Sequence, residues 1–568
     1  MNKETRKLLD KHFETAFDTP DGIKKLRELI LTLAMRGRLV PQDQNDQPAS
    51  ELLKEIAAEK DRLIKEGKLK PQKPLPPIDP KEIPYQLPKG WEWVRLQNAF
   101  DVRDGTHDTP KYTVSGFPLI TSKNLYTGRL SFEDVKFISE HDHNRIKERS
   151  RVDLGDILFA MIGSIGNPVI VECEHEFSIK NVALFKFYKA NTPERLFLHN
   201  FLLSSQTAMK AISSGAVQSF VSLNFIRNYL FPLPPLAEQK RIVARVEQLI
   251  ARCDELEKLR AARDEKRLET HAAALNALFA AADSGDFSTA WKFISRNFDE
   301  LYTVKENVAE LRKAILQLAV MGRLVPQDPN DQPASELLKE IAAEKARLIK
   351  EGKLKPQKPL PPIDPKEIPY KLAKGWEWVR FDQLIDQRFP ISYGVLVPGP
   401  DTEDGVPFVR IEDLTIKNPK EKPGKRIGQD IASNYERTKL EGGEILMGVV
   451  GSIGKLGIAP ESWKGAYIAR AVCRIFPSSQ VDKKYILWIL QSNFMQTCFA
   501  SETRTLAQPT LNIGLIRAAL TPLPPLEEQK RIVARVEQLM ALCDGLEQSI
   551  AAADGSRAAL LDSLMANV

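Results

Sequence analysis

Cysteine is scarce in this chain. Five residues in 568 (Cys173, Cys253, Cys473, Cys498 and Cys543) lie scattered, with no C-x-x-C pair. That spacing excludes a zinc ribbon and a disulfide framework and suits a reducing compartment, so a cytoplasmic location is expected. No run of about 18 apolar residues occurs, which leaves no candidate membrane span. The opening MNKETRKLLDKHFE is charged and lacks the apolar stretch of a signal peptide. A strong charge of one sign is also missing. Lys and Arg total 81 against 75 Asp and Glu, giving +6 and a pI near 8.8, which permits nucleic acid without arguing for it.

Catalytic motifs are missing too. There is no G-x-G-x-x-G, no H-E-x-x-H, no G-x-S-x-G, and no Asn/Asp-Pro-Pro-aromatic tetrapeptide of the amino-methyltransferases. GSIGK at 451–455 resembles the end of a P-loop, but it lacks the first glycine, and Leu456 replaces the Ser/Thr that would hold Mg²⁺. It reads as a tight β-turn. The seven histidines are uneven: His107, His141, His143, His175 and His199 lie in 97–231 and none in 382–522. His141-Asp-His143 has no third ligand at usable spacing and reads as a surface loop. No catalytic residue and no metal site is expected.

What the chain does have is a repeat. Residues 37–95, from GRLVPQD to KGWEWVR, recur at 322–380 with four differences: Gln44/Pro329, Asp61/Ala346, Gln86/Lys371 and Pro88/Ala373. LPPLAEQKRIVARVEQL at 233–249 likewise returns as LPPLEEQKRIVARVEQL at 523–539. A core drifts freely within its volume and pattern, yet here even exposed Lys, Glu and Gln positions are shared. Two identical surfaces suit binding one partner twice about a pseudo-twofold axis.

The plan in order is a helical region with a proline-rich strap (1–96), a variable domain (97–231), a central repeat of helix and strap (232–381), a second variable domain (382–522) and a C-terminal helix (523–568). Ser50 and Ser335 sit where N-caps of the ELLKEIAAEK helices should be, and the LKPQKPLPPIDPKEIP strap should be extended polyproline II. GDILFAMIGSIGN (155–167) and GEILMGVVGSIGK (443–455) predict strand, turn, strand, with helices at 194–213 and 482–500. Ile532, Val536, Leu539, Cys543, Leu546 and Ile550 step as a coiled-coil seam. Ile242, Val246, Leu249, Cys253 and Leu256 match it, followed after a charged break by Leu268, Leu275 and Leu278. A helix over 238–280 would run about 60 Å at about 1.5 Å per residue. The expected fold is α+β: two globular α+β domains separated by long antiparallel coiled-coil helices, with an internal two-fold pseudo-repeat.

The variable segments offer contact chemistry for DNA. The loop DGTHDTPKY supplies Thr106, His107, Thr109, Lys111 and Tyr112, and ITSKNL supplies Ser122, Lys123 and Asn124. The second domain supplies Ser392 and Tyr393, Arg410 and Glu412 of VRIEDL, and Lys455. Polar loops further on carry Gln218 in the first domain and Arg504, Thr505 and Gln508 in the second. Lys and Arg read guanine edges, Asn reads adenine and Glu accepts from cytosine. Clusters at Arg145, Lys147, Arg149 and Arg151, and at Lys417, Lys420, Lys422, Lys425 and Arg426, suit phosphates. Interspersed acids leave open a merely solvated charged face.

The two-copy plan, the PPLxEQKRIV helix starts, the GDIL…GSIG cores and the GTHDTPKY loop together resemble the specificity subunit of type I restriction–modification enzymes. The duplicated ELLKEIAAEK…KPLPP…GWEWV block is similar to the subgroup with an extended N-terminal constant region. The resemblance implies a non-catalytic subunit whose two target recognition domains each read half of a split, asymmetric double-stranded DNA sequence. It implies that the helices fix the gap and that the constant regions dock two adenine methyltransferase subunits, joined by endonuclease/translocase subunits. S-adenosylmethionine, ATP and Mg²⁺ would belong to those partners, and no cofactor to this chain. The rival reading is a scaffold that dimerises a partner through its repeated regions without touching DNA.

Overall fold

The computed structural model describes residues 7, 11–13, 17–19, 21–188, 192–213, 220–281, 284–356, 360–501 and 510–566. The chain divides into two compact units, Met1–Arg263 with Ala553–Val568, and Asp264–Ala552. The first boundary falls inside a single helix, Leu236–Ala280, and the last helix, Leu526–Ala566, spans the second. Among the described residues no helix is long and apolar enough to cross a membrane.

Each unit is built around a two-stranded antiparallel gate. In the first, Glu92–Arg95 pairs with Leu230–Leu233, Glu92 facing Leu233 and Arg95 facing Leu230. In the second, Glu377–Arg380 pairs with Leu520–Leu523 in the equivalent register. The chain thus enters and leaves each variable segment at one place.

Beyond the gate each segment forms two small sheets. In the first unit, Asp101–Asp104, Val182–Lys186, Ile157–Ala160 and Gly166–Ile170 lie side by side, all antiparallel. A second sheet runs Tyr112–Thr113, Lys136–Ile138, Phe117–Ile120 and Ser178–Ile179, its last pair parallel. The second unit has Leu456–Ile458, Ile445–Gly448 and Val472–Ile475 in one sheet, and Lys425–Ile427, Val406–Val409 and Tyr467–Ile468 in the other. Both expected GSIG hairpins form. The expected helices appear as Thr192–Ser213 and as Lys483–Gln491 followed by Asn493–Ser501.

Around the gate lie the repeated helices. Ile242, Val246 and Cys253 of the long helix are buried in one core with Ile30 and Met35 of helix Gly22–Met35 and with Leu52 and Ile56 of helix Ala49–Lys65. Arg27 braces the packing with bonds of 2.5 Å to Asp254 and 2.8 Å to Glu257. Ile532, Val536 and Cys543 are buried in the second unit's core with Val308 and Ile315 of helix Lys305–Val320. There Arg312 bonds Asp544 at 2.6 Å and Glu547 at 3.2 Å. Within each unit, therefore, seam residues share a core with the short helix that precedes the repeated block. Leu256, expected on the seam, is 47 % exposed.

Ser50 and Ser335 are not N-caps. Their helices begin at Ala49 and Ala334 with Pro48 and Pro333 at the cap. A tertiary bond does the capping instead: the Ala49 amide donates to Gly90 O and that of Ala334 to Gly375 O, both at 2.9 Å.

Each long helix starts with a buried carboxylate against a buried indole. Trp91 Nε1 donates to Glu238 at 2.9 Å and Trp376 Nε1 to Glu528 at 3.0 Å. Burial raises the Glu528 carboxyl above its ordinary value. The folded chain therefore holds that proton more tightly than the unfolded chain, so this group's contribution to stability falls as pH rises from about 4 through the raised value. Glu528→Gln removes the titration. The melting temperature of the variant relative to wild type should rise as pH climbs from about 4 through the raised value and level off above it; a flat difference, or one falling with pH, contradicts the assignment.

Candidate nucleic-acid interface

The opening loops of the two variable segments are built on one device. In the first, the Thr106 amide donates to Ile179 O at 3.0 Å and the Asn181 amide to Thr106 O at 3.1 Å. In the second, the Val395 amide donates to Ile468 O at 2.8 Å and the Arg470 amide to Val395 O at 3.0 Å. A Cβ on Gly105 would stand 2.1 Å from Ile179 O, and one on Gly394 2.0 Å from Ile468 O. Only glycine lets the strands approach so closely. These glycines align DGTH with YGVL, which the sequences hardly suggest.

The first loop gathers a polar cluster. His107 is exposed, with Nδ1 at 3.1 Å from Asn181 Oδ1 and Nε2 at 2.8 Å from Asp104 Oδ2. Asp104, 2 % exposed, also takes Arg149 Nη2. Thr106 Oγ1 donates to Asp108 O at 3.3 Å, and Lys180 Nζ donates to Thr109 Oγ1. Lys111 and Tyr112 are exposed, Tyr112 on the short strand facing Ile138. Lys180, Asn181 and Asp104 escaped the sequence reading, because the pairing that brings residue 180 beside residue 106 is long-range and parallel.

The second candidate loop, Ser122–Leu125, divides by exposure. Lys123 is exposed and donates to Asp134 O at 2.9 Å; Ser122 is half-buried. Asn124 is a correction: at 2 % exposure its Oδ1 accepts from the Thr121 amide at 3.0 Å and its Nδ2 donates to Ser131 O at 3.2 Å. With both ends bonded inside the loop, it holds the turn and has no edge to offer a base.

In the second unit Arg410, Glu412 and Lys455 converge. Lys455 leaves the GSIGK turn and donates to Ile411 O at 2.8 Å, between Arg410 and Glu412, which pair at 2.5 Å. Tyr393 is the other correction. Its hydroxyl donates to Leu511 O at 3.2 Å and accepts from the Ile513 amide at 3.3 Å, so it ties two segments together. Ser392 is half-buried, its Oγ without a bonding partner. Gln218, Arg504, Thr505 and Gln508 lie outside the described residues.

The HDH segment is a correction as well. It lies in helix Glu140–Ser150, where His143 is buried, stacked on Phe117 at 4.0 Å and bonded through Nδ1 to Ser178 Oγ at 2.9 Å. Burial first, then nearby Lys147, lowers the pKa of His143. Among the described residues no three His, Cys, Asp or Glu side chains are grouped to hold a metal. Chemically, the loops display hydroxyl, imidazole, ammonium and guanidinium groups, the donors and acceptors that meet base edges and phosphates.

Residues 88–263 and 399–553 match the family described as the type I restriction modification DNA specificity domain. Over 573 residues the chain is 36 % identical to the type I restriction enzyme EcoAI specificity subunit of Escherichia coli, spanning 96 % of this chain and 93 % of that one. The chain belongs to the type I restriction–modification specificity subunits. The EcoEI specificity subunit of Escherichia coli is 33 % identical over 581 residues, with the same two coverages of 96 % and 93 %. A crystal structure of the HsdS subunit from Thermoanaerobacter tengcongensis overlaps 85 % of this chain and 98 % of its own at 20 % identity and a TM-score of 0.39.

A specificity subunit recognises DNA sequence as part of a type I complex, and catalysis belongs to partner subunits. The first family match spans the whole Thr106–Asn181 cluster. The second begins at residue 399, so it takes in Arg410, Glu412 and Lys455 but not the Gly394 loop.

Proposed function

We propose that each variable segment of this specificity subunit reads one half of a split, asymmetric double-stranded DNA target. The carrying observation is that two variable segments with dissimilar sequences, each overlapped by a family match, sit between nearly identical gates and repeated blocks. Two unlike readers imply two unlike half-sites. His107, Lys111, Tyr112 and Lys123 in one unit, and Glu412 and Lys455 beside the half-buried Arg410 in the other, are exposed groups suited to that contact. Lys147 and Lys417 are held in surface ion pairs with Glu176 and Asp544. Such pairs are worth little and exchange readily for phosphate.

The long helices act as an antiparallel coiled-coil spacer about a pseudo-twofold axis and set the gap, while each repeated block docks one adenine methyltransferase subunit, through which the endonuclease subunit joins. S-adenosylmethionine, ATP and Mg²⁺ serve those partners, and the assembly works in the cytoplasm. An insertion of one heptad within 250–280 tests the ruler. The methylated target should keep both half-sites and change its gap. An unchanged gap, or an altered half-site, sinks the spacer role.

A further inference from the structure

The two repeated blocks are alike in sequence but not in what fills them. In both, a tyrosine and a tryptophan meet edge to face: Tyr85 and Trp93 at 5.0 Å, Tyr370 and Trp378 at 5.1 Å. The indole donates to the tyrosine's own carbonyl, Trp93 to Tyr85 O at 3.2 Å and Trp378 to Tyr370 O at 3.3 Å. In the second unit a third ring completes the set. Phe494, on helix Asn493–Ser501, lies 6.1 Å from Tyr370 and 5.8 Å from Trp378.

The matching position in the first unit is Ser204. Gln206 and Gln496 fix the correspondence, because each lies against the second glycine of its GSIG turn, Gly166 and Gly454. Two residues earlier stand Ser204 and Phe494. The Ser204 hydroxyl donates back to Phe201 O at 2.8 Å, so nothing from the helix at that position reaches toward Tyr85 and Trp93. A cleft of about 670 Å³ remains, walled by Tyr85, Trp93, Phe201, Phe225 and Tyr229 with Arg36 at 5.1 Å over the Tyr85 ring.

We infer that this cleft is the anchor pocket for an aromatic side chain of the methyltransferase subunit that docks on the first repeated block. This deepens the docking role proposed above and rests on it. The occupant is argued from the second unit, where the same two walls hold a phenyl ring from within. The partner is argued from position: Glu82, Pro84, Tyr85, Trp93 and Arg95 of the cleft's lining belong to the repeated block itself. A buried aromatic anchor in a preformed pocket is the usual energetic centre of a protein interface. The two docked subunits are then held unequally, the first by an inserted ring and the second without one.

The test uses the full chain assembled with its methyltransferase subunit and read by native mass spectrometry. Wild type and Ser204→Ala should bind two copies alike. Ser204→Phe, which fills the cleft as Phe494 does, should bind the first copy about thirty-fold more weakly than wild type does, the effect of losing one anchor, and leave the affinity for the second copy unchanged. A second measurement guards against misfolding. In Ser204→Cys the introduced thiol should react with methyl methanethiosulfonate in the free chain and be protected at least about tenfold after assembly, as for a side chain buried at an interface core. Undiminished binding by Ser204→Phe, or a Ser204→Cys thiol left unprotected in the complex, overturns the pocket while leaving docking intact. Wild type binding no methyltransferase overturns the docking role itself.

Discussion

Exchange of residues 96–229 for the corresponding segment of another specificity subunit should replace one half of the methylated target and leave the other half unchanged. The gate explains why such a cut is tolerated. Its strands, Glu92–Arg95 and Leu230–Leu233, face each other in register, so both junctions fall at neighbouring residues and the incoming domain hangs from an intact pair. Ile242, Val246 and Met35 share one core with Phe197, Phe201 and Ile226 of the exchanged segment, so the incoming domain has to bring apolar side chains at those positions. The effect is all or none at the half-site, because direct base contacts in one domain have no reach into the other half. Mapping methylated adenines for the exchange decides the matter. A change in both halves, or in neither, contradicts independent reading.

The second large effect is expected at Arg95. This residue ends the gate strand, and its guanidinium is almost fully buried. Nε donates to Pro76 O at 2.9 Å, Nη2 to Pro77 O at 3.1 Å and Nη1 to Asn228 O at 2.9 Å. The fork also grips Glu82, Nη1 at 3.2 Å and Nη2 at 3.1 Å. One side chain thus fastens the proline-rich strap to the gate, where a strap without regular backbone pairing needs such an outside donor. Arg95→Ala strands three carbonyls at roughly 1 kcal/mol each or more, about 3 kcal/mol in all. Lys cannot rescue it, because a compact ammonium does not reproduce the planar fork. The second copy provides an internal control. Arg380 donates to Ala518 O at 3.0 Å and Pro362 O at 3.3 Å and pairs with Glu367. In Arg95→Ala, trypsin should cut after Lys81 of the strap about a hundredfold faster than in wild type, the opening equilibrium having shifted by that energy. Cleavage after Lys366, its counterpart in the second strap, should not change. Equal acceleration of both straps would mean that the clamp is not local.

The repeat, the GSIG hairpins and the helices that follow them were legible in the sequence, because each is written in local pattern or in literal repetition; the pairing that makes the gates was not. Long-range commitments were not. Arg95 reads as an ordinary charge at the end of WEWVR, and nothing nearby announces that two prolines 18 and 19 positions upstream offer it their carbonyls. Ser50 has the right chemistry for a cap, but the Gly90 carbonyl reaches the helix first. Asn124 and Tyr393 are the residue types that meet bases, and they are also the types that brace a loop; burial decides between the roles, and burial depends on the whole fold. His143 is misread from sequence for the same reason, since its stacking partner Phe117 and its bonding partner Ser178 lie on strands distant in sequence. His107, Lys111, Lys123, Glu412 and Lys455 are exposed and Arg410 is half-buried, so the structure leaves these six accessible for contact.

The most direct test is a genome-wide map of N6-methyladenine with the gene intact and with it deleted. A split motif with two unlike halves, present with the gene and absent without it, is the expected result. If the methyltransferase subunit is expressed and bound to this chain, yet no motif depends on the gene, then the chain is a scaffold and the loops described above do not read DNA.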